Sequence, residues 1–128
     1  MKKSLIIIVC FALVAACAAQ PRHGRPRHCA TEEQMQMVIN TLKKQSFDSG
    51  KREVADLCVV IGTFCVHDLA RMAATFSFDD NRRQFLEFAY PYCVDPENYF
   101  LLREVFTFSS NYDKLVDAIH DKRRRPRH

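Results

Sequence analysis

The 128-residue chain has no tryptophan, only three glycines and five prolines, and no Cys-x-x-Cys motif. So little glycine and proline excludes collagen-like and low-complexity sequence. A hydrophobic fraction of 48% against 27% charged residues is too apolar for a chain disordered throughout. Past residue 20 nothing approaches the roughly 20 consecutive apolar residues that a membrane-spanning helix needs. The cysteine spacings match no structural zinc pattern, and no alternating apolar pattern argues for strands. No catalytic motif is present. What remains is one small domain whose aromatic bulk comes from ten phenylalanines.

The one long apolar run opens the chain. Leu5 to Ala16 follows Lys2 and Lys3 and precedes the small residues Cys17, Ala18 and Ala19, which predicts a secretory signal peptide over residues 1–19 with cleavage before Gln20. The tetrad Val14, Ala15, Ala16, Cys17 also fits a bacterial lipoprotein box, in which Cys17 becomes the lipidated first residue. Removal of Lys2 and Lys3 lowers the basic count from 19 to 17, against 15 acids. The expected localisation is secreted and extracellular.

The charge of the remaining chain is unevenly placed. Cys29 to His120 holds nine basic and fourteen acidic residues, whereas Arg22, Arg25 and Arg27 crowd residues 20–28, and Lys122, Arg123, Arg124, Arg125 and Arg127 crowd residues 121–128. Both arms end in Arg-Pro-Arg-His and carry no large apolar side chain, so they are expected to be extended and solvated. Three readings apply to them: solubility tails, a precursor-processing site at Lys122 to Arg125, or attachment to a polyanion through these eight cations. Arginine favours the last, because its fork grips sulfate or phosphate in pairs of hydrogen bonds. Metal capture by His23, His28 and His128 would need two separate arms to converge, so no metal or cofactor is expected, nor any specific nucleic acid.

Four cysteines outlast the leader: Cys29, Cys58, Cys65 and Cys93. An even count in a short exported chain predicts two disulfides and no free thiol, with three connectivities open. A thiolate nucleophile would need a positioned base, and His67 is the only histidine inside the body, with His120 at its edge.

An internal repeat organises the body. Ser46-Phe47-Asp48 returns as Ser77-Phe78-Asp79 and then as Thr107-Phe108-Ser109, at intervals of 31 and 30 residues. The stripe Leu69, Met72, Phe76 returns as Tyr99, Leu102, Phe106, and Met35, Val38, Ile39, Leu42 is a looser relative. The repeating unit is a pair of helices. Thr31 with Gln34 forms a capping box, and Asp48, Asp79 and Ser109 or Ser110 stand where helices need an N-cap acceptor. Asp95-Pro96-Glu97 starts a helix, Gly62 ends one and Pro91 ends another. The fold class expected is all-α: about six short antiparallel helices in a helix-pair bundle stapled by two disulfides. Their spans are Thr31 to Lys44, Asp48 to Ile61, Val66 to Phe76, Asp79 to Tyr90, Pro96 to Phe106 and Ser110 to Ile119. Antiparallel order gathers the cysteines at one pole and Phe47, Phe78 and Phe108 at the other, and it favours pairing Cys29 with Cys65 and Cys58 with Cys93.

The run from Ser77-Phe78-Asp79 through Tyr90-Pro91-Tyr92-Cys93-Val94-Asp95 to Phe106-Thr107-Phe108-Ser109-Ser110 resembles the family called domain of unknown function 4476. The likeness covers about Phe47 to Ile119, within a helical domain expected over residues 29–120. It implies a small helical domain and brings no activity or catalytic residue with it.

Capping accounts for Asp48, Asp79, Asp80 and Asp95 without acid-base or calcium chemistry. His67 and Asp68 are helix neighbours, which point about 100° apart and are not expected to face each other. Tyr90, Tyr92, Tyr99 and Phe100 are expected to fill the core around Pro91, with Tyr92 or Phe100 the most exposed. The functional expectation is a secreted, non-enzymatic binding protein whose partner is an extracellular protein or a polyanion. The alternatives are an enzyme or enzyme inhibitor with a site between helices, or a lipoprotein of a bacterial envelope.

Overall fold

The computed structural model describes residues 28–125. The helices are α1 (Glu32–Lys44), α2 (Asp48–Ile61), α3 (Val66–Ala73), α4 (Asp79–Ala89), a 3-10 helix (Pro96–Val105) and α5 (Ser109–Arg124), with a 3-10 turn at Tyr90–Tyr92. Among the described residues the only β pairing is an isolated bridge between Phe64 and Cys93. The six helices form three successive pairs. Helices α2, α4 and α5 stack side by side in one layer, and α1, α3 and the 3-10 helix stack in the other. Each pair touches its neighbour, the arrangement that a 30-residue period requires if each unit is to bury its apolar face.

Burial follows the repeat. Leu69, Met72 and Phe76 are buried, as are their counterparts Tyr99, Leu102 and Phe106. Phe85 and Leu115 occupy equivalent core positions in α4 and α5, while Val54 in α2 packs only partly against the core. The terminal pair is less covered, and Met37, Leu57, Val60 and Ile61 stay exposed on it.

Three helices depart from the expected spans. Helix α3 stops at Ala73, because Thr75 and Phe76 donate to the carbonyls of Met72 and Ala73 in tight turns that swing Phe76 into the core. The fifth helix is 3-10 in type. Its covered positions, Pro96, Tyr99, Leu102 and Val105, recur every three residues, the period of a 3-10 helix. The last helix runs on to Arg124, so residues 121–124 of the C-terminal arm are helical and only Arg125 of its described part is extended. Lys122, Arg123 and Arg124 fill its last turn, where cations offset the negative end of the helix dipole.

The Thr31–Gln34 capping box forms as expected, with Gln34 N–H donating to Thr31 Oγ1 and Thr31 N–H to Gln34 Oε1. Asp48 and Asp79, by contrast, do not cap their own helices. The N-cap positions are Phe47, Phe78 and Phe108, all extended, which puts each aspartate one residue inside the helix. From there Asp48 accepts from the backbone N–H groups of Ser77 and Phe78 and from Asn81 Nδ2, so it caps the next repeat. Asp79 does the same for Thr107, Phe108 and Asn111. In the last pair Ser109 takes the equivalent position, where no further repeat follows among the described residues.

One disulfide is present, not two. Cys29 and Cys65 are bonded across 36 residues with Cα atoms 5.0 Å apart, whereas Cys58 and Cys93 are free thiols. All four cysteines do cluster around the Gly62–Val66 connection: Cys58 O accepts from Gly62 N–H, and Phe64 O accepts from Val94 N–H beside Cys93. The free pair opens on two different clefts, and Cys93 Sγ lies 3.5 Å from Asp95 Oδ1. Gly62 ends α2 with an ordinary negative φ of −107°. Glycine is needed there for space, since a Cβ would lie 2.8 Å from the Phe64 ring.

Candidate functional site

Two groupings of polar side chains stand out, and both lie away from the phenylalanine turns. The first is a cleft of 830 Å³ between the end of α5 and the Tyr90–Tyr92 turn. Lys122, Arg123 and Arg125 line one wall, Tyr90, Pro91 and Pro96 the other, and among the described residues no carboxylate contributes to the lining. Lys122 Nζ donates to the Glu87 carbonyl at 2.6 Å, and Arg123 Nε donates to Tyr90 Oη at 3.1 Å. Tyr90 is fixed in turn by an edge-on contact with the buried Tyr99 ring, centroids 5.1 Å apart. Among the described residues no acceptor bonds the two terminal nitrogens of Arg123, which leaves that side of its fork for a ligand. A smaller cleft of 380 Å³ shares Tyr90, Pro96 and Arg123 and continues toward Phe100 and Tyr112.

Of the eight cations expected to meet a polyanion, Lys122, Arg123 and Arg125 therefore share one cleft. Arg124 is exposed and lies outside the lining. Arg22, Arg25, Arg27 and Arg127 lie outside the described residues, as do the predicted leader and most of the N-terminal arm. Phe100 is exposed as expected, while Tyr92 is half-buried with its ring against Phe88.

The second grouping surrounds the disulfide. Asp68 is the only charged side chain buried among the described residues. Its Oδ2 accepts from Cys65 N–H at 3.0 Å and from Ala30 N–H at 3.3 Å, so one carboxylate ties both flanks of the bridge. Its Oδ1 accepts no hydrogen bond; His67 Nε2 lies 3.1 Å away without hydrogen-bond alignment. This corrects the expectation that the two neighbours do not meet. Asp68 projects inward from the first turn of α3, and the exposed His67 folds back over it. A sulfur of Cys29, a nitrogen of His67 and an oxygen of Asp68 all lie within 4.8 Å of one another. With Cys29 committed to the disulfide, that sulfur offers no thiolate to a metal ion. Asp95 plays a parallel part nearby, accepting from Val66 N–H at the start of α3.

The free thiols sit in apolar surroundings. Burial pushes the Cys93 thiol up to about 12, and it raises that of Cys58 as well. Both shifts lower the thiolate fraction, and that of Cys93 most. Cys58 lines an apolar groove of 440 Å³ with Ala30, Met37, Val38, Ile61 and Phe64.

Fold and sites together define an all-α domain of three stacked helix pairs, closed at one pole by inter-repeat aspartates and at the other by a disulfide. The chain belongs to the family described as Domain of unknown function (DUF4476), which matches residues 30–119. The match takes in α1 and the first helix pair, beyond the Phe47 at which the motif resemblance begins. No curated protein and no solved structure matches the chain. Among the described residues no helix is long and apolar enough to cross a membrane.

Proposed function

We propose that this chain is an exported, non-enzymatic binding protein that attaches to a polyanion through the basic cleft at the end of α5. The observation that carries the reading is the gathering of Lys122, Arg123 and Arg125 on one cleft with no carboxylate among its described lining residues. The helical last turn presents Lys122 and Arg123 at fixed spacing, with Arg125 at the C-cap. The Tyr90 hydroxyl orients one guanidinium, so less side-chain freedom is lost on binding than from an unstructured tail. The acidic body repels a polyanion at long range, which confines attachment to the basic ends.

Heparin chromatography of the chain from Gln20 tests this against the triple variant Lys122→Gln, Arg123→Gln, Arg125→Gln. The parent is expected to elute at clearly higher salt, because exposed charges are screened over about 8 Å at physiological ionic strength. Equal elution would remove the cleft from the reading. A variant neutralising Arg22, Arg25 and Arg27 measures the share of the other arm.

The enzyme alternative has one observation in its favour, the buried and incompletely partnered Asp68. Neither Asp68 nor His67 lines any of the three clefts above.

A further inference from the structure

The geometry points to the Cys29–Cys65 bridge as a site of thiol–disulfide exchange, with His67 as its acid-base group and Asp68 as the residue that positions His67. A disulfide that only staples a fold needs packing around it, not titratable groups. Here a nitrogen of an exposed histidine and a carboxylate oxygen of a buried aspartate lie within 4.8 Å of the Cys29 sulfur and of each other, and Oδ1 of that aspartate accepts no hydrogen bond and lies 3.1 Å from His67 Nε2. The two sulfurs are unequal. Cys65 is buried, and Cys29 is the more exposed residue.

Cys65 is also the N-cap of α3 and shares a capping box with Asp68, which sets its sulfur at the positive end of an eight-residue helix. That position stabilises a departing thiolate. Exchange is fastest when an accessible sulfur is attacked and the sulfur that leaves has its negative charge stabilised. Both conditions select attack on Cys29 with Cys65 leaving.

The chemistry balances with a low-molecular-weight thiol as reductant. His67 takes the proton of the incoming thiol, and the thiolate attacks Cys29 Sγ. The Cys29–Cys65 bond breaks, and its electron pair goes to Cys65 Sγ, which takes a proton from solvent. A second thiol molecule, losing its proton to solvent, attacks the outer, low-molecular-weight sulfur of the mixed disulfide. It releases the low-molecular-weight disulfide and leaves Cys29 as a thiolate, to which His67 returns a proton. Two thiols are oxidised to one disulfide, and one protein disulfide is reduced to two thiols. The charged groups that face His67 are Asp68 on its own helix and Glu32 of α1, which is held by Arg71 through contacts of 3.0 and 3.2 Å.

The test follows reduction of the oxidised full chain by excess glutathione. Alkylation and peptide mapping read Cys29 and Cys65 separately from Cys58 and Cys93. His67→Gln removes the base from an exposed position and leaves the core intact, so a thermal melt of this variant is expected to match the parent. Its exchange rate at pH 7 is expected to fall by about a hundredfold, the lower end of general acid-base assistance. The dependence of that rate on pH should differ between the parent and the variant. Asp68→Asn, where it folds, should alter the parent's dependence. Equal rates and equal pH profiles for the parent and His67→Gln would overturn the assignment. So would a bridge reduced only at the rate of global unfolding in denaturant.

Discussion

The two poles of the helix stack close by opposite strategies. At the phenylalanine pole one device is used twice: an aspartate at the first position of a repeat caps the turn that opens the next, Asp48 for Ser77 and Phe78, Asp79 for Thr107 and Phe108. A cation one turn further on completes it. Lys51 donates to the Thr75 carbonyl, and Arg82 donates to the carbonyls of Phe76 and Val105. At the cysteine pole only a looser echo repeats, Asp68 accepting from Ala30 N–H and Asp95 from Val66 N–H. One disulfide, one buried aspartate and an isolated bridge between Phe64 and Cys93 hold three unrelated segments together. A solenoid-like stack can propagate one junction along its length, but its chain entry has to be fastened by a unique contact.

The sharpest way to break the comparison is to remove the unique fastening. Replacing Cys29 and Cys65 by alanine frees a 36-residue loop in the unfolded chain, and the chain-entropy estimate for that length is about 3 to 4 kcal/mol. Urea unfolding of the double variant beside the parent is expected to show a loss of that order. A loss below about 1 kcal/mol would mean that Asp68, which bonds both flanks of the bridge, fastens the pole by itself.

The repeated junction should yield smaller and matched effects. Asp48→Ala and Asp79→Ala each strand two backbone N–H groups and one asparagine, at about 1.5 to 3 kcal/mol for hydrogen bonds to a charged acceptor. Because the junctions are copies, the two losses should agree closely. Since Asp48 and Asp79 lie in different junctions, the double variant should be near additive.

The same pair carries a pH signature. For each, burial pushes the pKa up. Hydrogen bonds outweigh it: Ser77 N–H, Asn81 and Phe78 N–H at Asp48, and Thr107 and Phe108 N–H with Asn111 at Asp79. Both groups are held below the ordinary 3.8. A depressed folded pKa contributes stability that is complete above the unfolded value and disappears as pH falls through the folded one. Stability should therefore drop below about pH 4 in the parent, and less steeply in the double alanine variant. Urea midpoints at pH 7 and pH 3 read the difference.

How much of this was legible follows the same division. The 30-residue recurrence of Phe47, Phe78 and Phe108 locates the three pairs, and the stripe Leu69, Met72, Phe76 with its copy Tyr99, Leu102, Phe106 locates their cores, because repetition writes one contact several times. The destination of the aspartates was not legible. Asp48 looks like the cap of the helix it begins, and only the stacking shows that its carboxylate reaches the following turn. The 3-10 character of Pro96–Val105 was present as a three-residue period but masked by the likeness to α3. The meeting of His67 with Asp68, and of both with Cys29, had no sequence signal beyond adjacency, since it depends on how the chain enters α1. The second disulfide was overestimated for a related reason. Placement at one pole brings cysteines near each other, while bonding requires matched Cβ directions that periodicity does not encode.

The smallest effect expected concerns those two remaining thiols, and it touches reactivity without touching stability. Cys93 has its thiol raised to about 12 by burial, and Cys58 is raised by burial in the groove beside Phe64. At pH 8 an ordinary thiol with a pKa near 8.5 is substantially ionised, so the thiolate fraction of Cys93 in the fold is lower by more than about a hundredfold. Iodoacetamide at that pH should therefore label Cys93 very slowly in the native chain and quickly in urea, with Cys58 labelled faster than Cys93 in the fold. Two thiols should react in the chain from Gln20 once it is unfolded without reductant. Labelling of Cys93 at the unfolded rate in the native chain would show that the segment beside Phe64 opens readily. No reactive thiol in urea would mean that Cys58 and Cys93 had paired, so that the cysteine pole carried two fastenings in place of one.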